Sequence, residues 1–260
     1  MTTPFRVGLT ADFQTEAAGL LDPILPAQFG GLPQVGYEYM PTPDHAITPE
    51  QLSAYDAVIA LSLPFAAASL AGVERLAVIA RWGVGYDMID TQACTENDVL
   101  LCITRDAVRR PVAEGIIALL LALAKHMPAK DRLVRSGRWA DKLHYPGLGL
   151  SGRTLGSIGV GNIGAELFRM LRPFALGRTL AYDPYVSETQ AAALGVTMVD
   201  LDTLLAESDF VCVNCPLTTE TFHLLDEARL RRMKSTALLI NTARGPIVDQ
   251  AALTRALQER

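Results

Sequence analysis

The 260-residue sequence is poor in the residues that most often carry unaided chemistry: it has four cysteines, four histidines and two tryptophans, with aromatics at 7%. Cys94, Cys102, Cys212 and Cys215 form no secreted disulfide framework, so a stapled extracellular scaffold is excluded and a reducing cytoplasm is the expected home. Cys212-x-x-Cys215 has the spacing of a redox or metal pair, but strand positions three apart face opposite sides, so the sulfurs diverge and no metal is expected. An excess of one charge is also missing. Net charge is −5 with both signs scattered, which argues against nucleic acid or an anionic membrane as partner. The most apolar run, Gly115 to Ala124, lies between Glu114 and Lys125, is too short to span a bilayer and reads as a buried helix. Met1 to Thr10 has Arg6 inside its apolar run and no small-residue cleavage site, so it is not expected to be a signal peptide. What the chain does have is a hydrophobic share of 50%, enough for two modest domains.

The stretch from Arg153 to Asp183 organises the rest. Thr154 to Val160 is an apolar strand that enters Gly159-Val160-Gly161-Asn162-Ile163-Gly164, a G-x-G-x-x-G turn. Ile163, Leu167, Met170, Leu171 and Phe174 then recur at helical spacing. The glycines have separate jobs: Gly159 permits a tight turn, Gly161 keeps the backbone open to a pyrophosphate, and Gly164 lets helix and strand pack closely. An anion is favoured at the helix N-terminus by unpaired N–H groups and the helix dipole. A second strand, Arg178 to Tyr182, delivers Asp183 about 20 residues beyond the turn, where a carboxylate accepts ribose hydroxyls. Pro184 and Tyr185 follow with no Arg or Lys for a 2′-phosphate. The cofactor expected is therefore NAD rather than NADP.

Strand-like and helix-like segments alternate along the whole chain, which predicts an α/β protein of doubly wound parallel sheets. In the first part the strands are expected at Phe5 to Thr10, Gln34 to Met40, Tyr55 to Ser62, Leu76 to Arg81 and Val99 to Thr104. Leu21 to Pro49 is rich in Pro and Gly and is read without helices. The loop from Ser62 to Phe65 is a candidate ligand loop or a plain connection. A long helix, Arg109 to Lys125, and a second helical stretch, Ala129 to Ser136, precede the fingerprint. Five strands follow from the fingerprint onward, ending with Phe210 to Asn214 and Ala237 to Asn241. The domains are expected at residues 1–105 and 106–260.

Three segments together resemble the D-isomer-specific 2-hydroxyacid dehydrogenases. They are Arg81-Trp82-Gly83-Val84-Gly85-Tyr86-Asp87-Met88-Ile89-Asp90; the fingerprint with Tyr182-Asp183-Pro184; and Pro216-Leu217-Thr218-Thr219-Glu220-Thr221 followed by Asn241-Thr242-Ala243-Arg244-Gly245-Pro246-Ile247-Val248-Asp249. The resemblance implies a flavodoxin-like substrate domain and a Rossmann NAD-binding domain. It implies an oxidoreductase that moves a hydride between nicotinamide and C2 of a small D-2-hydroxy or 2-oxo acid. Val84 and Gly85 would offer backbone N–H groups to the substrate carboxylate in a cleft between the domains. Arg244 would be the catalytic residue, clamping carboxylate and oxo group; a guanidinium suits both, as a two-pronged donor and as a cation beside developing negative charge. NAD would be held by Gly159, Gly161, Asn162, Ile163, Gly164 and Asp183. Cys215, Pro216 and Thr221 would cover its adenosine side, and Thr242, Ala243 and Arg244 would lie toward the nicotinamide. By the same resemblance a homodimer forms through the helix Arg109 to Lys125.

The family's proton donor is a histidine held by a glutamate, and both are expected beyond Arg260, together with the last strand. Neither His45 nor His126, His144 or His223 stands in their place. The sequence therefore reads as a C-terminally truncated dehydrogenase of impaired turnover, with Ala237 to Asn241 an unprotected apolar edge. The alternatives are a non-catalytic NAD-binding regulatory protein or an inactive relic.

Overall fold

The computed structural model describes residues 4–41 and 46–259. His45 lies outside them. The chain divides into two compact units, Met1–Arg105 and Asp106–Arg260.

In the first unit the elements run β1 (Phe5–Leu9), α1 (Phe13–Glu16), α2 (Ile24–Phe29), β2 (Val35–Tyr39), α3 (Pro49–Leu52), β3 (Ala57–Ala60), α4 (Ala67–Leu70), β4 (Val78–Arg81), α5 (Thr91–Glu96) and β5 (Leu100–Ile103). The five strands are parallel in the order β2-β1-β3-β4-β5, the flavodoxin-like arrangement whose switch point lies between β1 and β3. The inner strands β1, β3 and β4 bury apolar side chains, while the edge strands β2 and β5 are largely exposed. Val58, Ile79 and Phe65 anchor one cluster, and Leu9, Phe13, Leu21 and Leu25 the other. Helix α2 departs from the sequence expectation for Leu21 to Pro49. Pro26 is tolerated because it sits in the first turn, where an N–H has no intrahelical partner to lose, and Leu25 gains burial in the core.

The second unit opens with α6 (Arg109–Ala124) and α7 (Met127–Arg135), which meet at 62° through His126 in a left-handed conformation, φ 53°. Ala113, Ile116, Leu120 and Ala124 give α6 one buried face. The helix expected to be buried is so on this face only; on the other, Leu119 and Leu123 are exposed. Among the described residues, no single helix is long and apolar enough to cross a membrane. Next come β6 (Thr154–Ile158), α8 (Asn162–Leu171), β7 (Arg178–Tyr182), α9 (Glu188–Ala193), β8 (Thr197–Met198), α10 (Leu201–Glu207), β9 (Phe210–Val213), α11 (Glu227–Arg232), β10 (Leu238–Asn241) and α12 (Gln250–Gln258).

All five strands of this sheet are parallel, in the order β10-β9-β6-β7-β8. The order reverses beside β6, so the glycine turn that leaves β6 opens at the switch point, where doubly wound sheets bind ligands. Strand β10 is at an edge, pairing among the described residues with β9 alone. Its apolar side chains, however, are not bare: Ile240 and Leu238 pack in the cluster with α6 and α8, and Leu239 in the cluster on the opposite face. The expected unprotected apolar edge is thus an open backbone edge with covered side chains.

Candidate cofactor and substrate site

The three glycines of the turn occupy three different environments. Gly159 is buried at φ +95°, and a Cβ there would meet the Asn214 carbonyl carbon at 2.9 Å. Gly164 is buried against the Gly159 carbonyl oxygen, 2.5 Å from where its Cβ would stand. Gly161 is exposed, with nothing within 4 Å of an added Cβ. Tight turn, close packing and open space are thus assigned to separate residues, and α8 begins at Gly161 without a side-chain cap. Around Gly161 the turn leaves open space for at least 4 Å, which is the environment a dinucleotide pyrophosphate fits.

Asp183, half-buried at the end of β7, reaches this turn. Its Oδ2 accepts from the Val160 backbone N–H at 2.8 Å and its Oδ1 from the Tyr185 N–H at 3.0 Å. Gly159 N–H donates to the Tyr182 carbonyl at 2.8 Å. Tyr185 itself is exposed, and neither Pro184 nor Tyr185 brings a cation to the carboxylate.

The loop after β9 adjoins the turn through the Asn214–Cys215 peptide. Thr221 closes that loop, its Oγ1 donating to the Pro216 carbonyl at 2.6 Å and accepting from Thr218 N–H at 2.7 Å. Cys212 and Cys215 pack in clusters on opposite faces of the sheet, although Cys215 lies past the end of β9, so strand alternation is not what separates them. Burial pushes the Cys212 thiol up to about 12; burial, with the Asp183 charge a lesser cause, pushes Cys215 up to about 11. Among the described residues no cluster of His, Cys, Asp and Glu could hold a metal ion.

After β10, Asn241 organises Thr242 to Arg244. Its Oδ1 accepts from Ala243 N–H at 3.0 Å and its Nδ2 donates to the Arg244 carbonyl at 2.9 Å. Arg244 is half-buried with extended backbone, φ −143° and ψ 137°, and its Nη1 donates to the Ala243 carbonyl at 2.9 Å. His223 lies nearby: its N–H donates to the Pro246 carbonyl at 2.8 Å, its ring stacks on Phe222, and its Nδ1 is 3.8 Å from Asp249 Oδ2. Asp249 is already engaged as the N-cap of α12, accepting from Ala252 N–H. His126 and His144 are exposed.

In the first unit, Val84 and Gly85 are half-buried on the loop after β4. Arg81 shapes this loop: its Nε donates to the Gly85 carbonyl at 2.8 Å, and a Cβ on Gly83, whose φ is +139°, would stand 2.6 Å from Arg81 Nη1. At the switch point of the same sheet, Asp12 Oδ2 accepts from Ser62 N–H at 2.6 Å, Ser62 Oγ at 2.8 Å and Leu63 N–H at 2.8 Å. Burial alone would raise the Asp12 pKa; hydrogen bonds from Thr10, Ser62 and Leu63 outweigh it and hold the carboxyl below its usual range. Sequence reasoning gave no role to Asp12, Ser157 and Asn214, whose only signal is a polar residue standing where an apolar one or a plain loop residue would serve; Arg81 and Asn241 stood in the segments that carry the resemblance but were likewise given no role.

Residues 117–260 match the family described as D-isomer specific 2-hydroxyacid dehydrogenase, NAD binding domain. The chain is 39% identical over 221 residues to glyoxylate reductase of Korarchaeum cryptofilum, covering 84% of this chain and 66% of that protein. It is 40% identical over 185 residues to D-3-phosphoglycerate dehydrogenase of Archaeoglobus fulgidus, covering 71% of this chain and 35% of that one. The chain thus spans under two thirds of the length of these curated relatives. Among solved structures, D-lactate dehydrogenase from Aquifex aeolicus complexed with NAD and lactic acid superposes with a TM-score of 0.84 at 28% identity, over 97% of this chain and 73% of that one.

Proposed function

Because this chain belongs to the D-isomer specific 2-hydroxyacid dehydrogenase family, we propose that it binds NAD at the Gly159–Gly164 turn in an orientation that serves hydride transfer to and from C2 of a small D-2-hydroxy or 2-oxo acid. The observation that carries this reading is the turn itself: Gly161 open, Gly164 packed on Gly159, and Asp183 hydrogen-bonded to Val160. Residues 106–260 are the cofactor domain and residues 1–105 the substrate domain.

Gly161, Asn162, Ile163 and Gly164 bind the pyrophosphate, and Asp183 accepts from the adenosine ribose. Cys215, Pro216 and Thr221 cover the adenosine side, while Thr242 and Ala243 approach the nicotinamide ribose. With no Arg or Lys at Pro184 or Tyr185, NAD is preferred over NADP. When bound, the reduced nicotinamide supplies the hydride. Arg244 holds the substrate carboxylate and stabilises charge growing on the oxo oxygen. Val84 and Gly85 bind the same carboxylate through their N–H groups. Cytoplasmic location and a homodimer through Arg109 to Lys125 complete the proposal, the exposed Leu119 and Leu123 of α6 being in keeping with the latter.

Reduction of a 2-oxo acid needs a proton as well as a hydride. His223 has a carboxylate neighbour, but its Nδ1 stands 3.8 Å from Asp249 Oδ2, beyond hydrogen-bond length, and its ring is stacked on Phe222. That observation favours, as a second reading, an NAD-binding protein in which cofactor occupancy rather than turnover is the output. Fluorescence titration of the 28.1 kDa polypeptide with NADH, followed by assay with glyoxylate, hydroxypyruvate and pyruvate, separates the two. Binding with turnover supports the dehydrogenase, binding without it the second reading, and no binding excludes both.

A further inference from the structure

We propose that Ser157, backed by Asn214, is a positioning residue for the pyrophosphate, because it locks the Gly159–Val160 peptide with its carbonyl turned away from the cofactor. The inference rests on the proposed NAD site and adds to it two residues with no assigned role.

Ser157 is fully buried in β6, on the face it shares with Leu155 and opposite Ile158, a position where a hydroxyl must be satisfied internally. It has one proton, which it donates to the Gly159 carbonyl at 2.7 Å. It therefore accepts from Asn214, whose Nδ2 lies 2.9 Å away, and this fixes the orientation of the Asn214 amide. Asn214 is itself held by its backbone N–H, which donates to the Ile158 carbonyl at 2.8 Å. The far end of the same peptide is held as well, by Val160 N–H on Asp183 Oδ2 at 2.8 Å.

Such a lock has a reason to exist at this peptide. Gly159, at φ +95°, lacks the Cβ that restricts other residues, so the peptide beyond it can rotate between two orientations at low steric cost. In the observed orientation the carbonyl points into the slot between Ser157 and Gly164. Rotated, it would set the negative end of a peptide dipole toward a doubly charged pyrophosphate and withdraw the Val160 N–H from Asp183. Ser157 removes that alternative by hydrogen-bonding the carbonyl, and Asn214 keeps the hydroxyl aimed.

The test is Ser157→Ala, read by NADH fluorescence titration, adenosine binding followed by NMR shifts, and thermal melting. Loss of one buried hydrogen bond predicts a Kd for NADH roughly three- to tenfold weaker, with adenosine, which has no phosphate to position, unchanged. Asn214→Ala leaves the hydroxyl but not its backing, so it shifts NADH in the same direction by less, and it decides the matter if Ser157→Ala does not melt cooperatively. Unchanged NADH affinity, or equal losses for NADH and adenosine, overturns the positioning role. A parent protein that binds neither ligand overturns the NAD site itself, which is a different result.

Discussion

The backbone N–H of Val160 donates to Asp183 Oδ2 at 2.8 Å, so one carboxylate supports the turn and also faces the place proposed for the adenosine ribose. Replacing Asp183 therefore removes more than a ribose contact. Asp183→Ala is expected to weaken NADH by roughly a hundredfold, the sum of charge-assisted hydrogen bonds to the ribose and to Val160, without creating NADPH affinity. Parallel titrations with NADH and NADPH check this, and a variant that simply exchanges one cofactor for the other contradicts it.

Gly161 and Gly164 separate binding from folding. A methyl at Gly161 meets no protein atom within 4 Å, whereas one at Gly164 lands 2.5 Å from the Gly159 carbonyl oxygen. Gly161→Ala should melt like the parent and yet lose NADH affinity by an order of magnitude or more, because the methyl occupies space meant for phosphate oxygens. Gly164→Ala should lose about 1–3 kcal/mol of stability through overpacking. Melting curves and NADH titrations on both variants test the pair.

Much of this was legible in the sequence because its signals are local. Strand, turn, helix and acid fall within about thirty residues, and the apolar alternation that builds parallel sheets needs no knowledge of partners. Helix α2 was missed because Pro26 reads as a breaker, although at that position it breaks nothing. Ser157 and Asn214 were missed for another reason. They are 57 residues apart, and a serine in an apolar strand becomes informative only once β6 is known to lie beside β9. The Asp12 ties to Ser62 and Leu63 were hidden in the same way, since they join two loops that meet only after β1 pairs with β3.

Arg244, though it lies toward the nicotinamide, is expected to act mainly on substrate and little on cofactor affinity. Arg244→Ala should leave NADH affinity within about twofold while weakening oxamate, a small 2-oxo acid analogue, by roughly a hundredfold in the presence of NADH. Arg244→Lys keeps the charge but loses the planar fork, so it should recover only part of that loss. Oxamate titration of the protein–NADH complex measures both.

Asp209 links stability to pH. Burial alone would raise its pKa, but Thr154 N–H, Lys234 and Arg153 together hold the carboxyl below its usual range. Its Oδ2 accepts from Thr154 N–H at 2.9 Å and its Oδ1 from Lys234 Nζ at 3.0 Å, joining the starts of β6 and β9. With the folded value depressed, the contribution is complete above the ordinary carboxylate pKa of about 3.9 and is lost as pH falls through the lower folded value. Asp209→Asn should cost about 1–3 kcal/mol at pH 7, with the gap to the parent closing as pH falls below the ordinary carboxylate range. Urea unfolding across that range provides the comparison.

All four cysteines are free, in contrasting environments: Cys102 exposed, Cys94 and Cys212 buried, Cys215 between. A thiol reagent at pH 8 should modify Cys102 rapidly in the folded protein. Cys212 and Cys215, raised to about 12 and about 11, should react only slowly, and all four at once in urea. Mass spectrometry of the time course assigns the sites.

Two wholly parallel sheets impose an order on folding, since each pairing must wait for a crossover. As the chain leaves the ribosome, the serine hydroxyl can reach the Gly159 carbonyl first, two residues on. Asp183 follows 23 residues after Val160, and Asn214 arrives only 57 residues after Ser157. The partners of the turn thus become available in the order of synthesis, and a nascent chain arrested between Asp183 and Asn214 has the glycine loop and its acid but lacks the strand residue that backs Ser157.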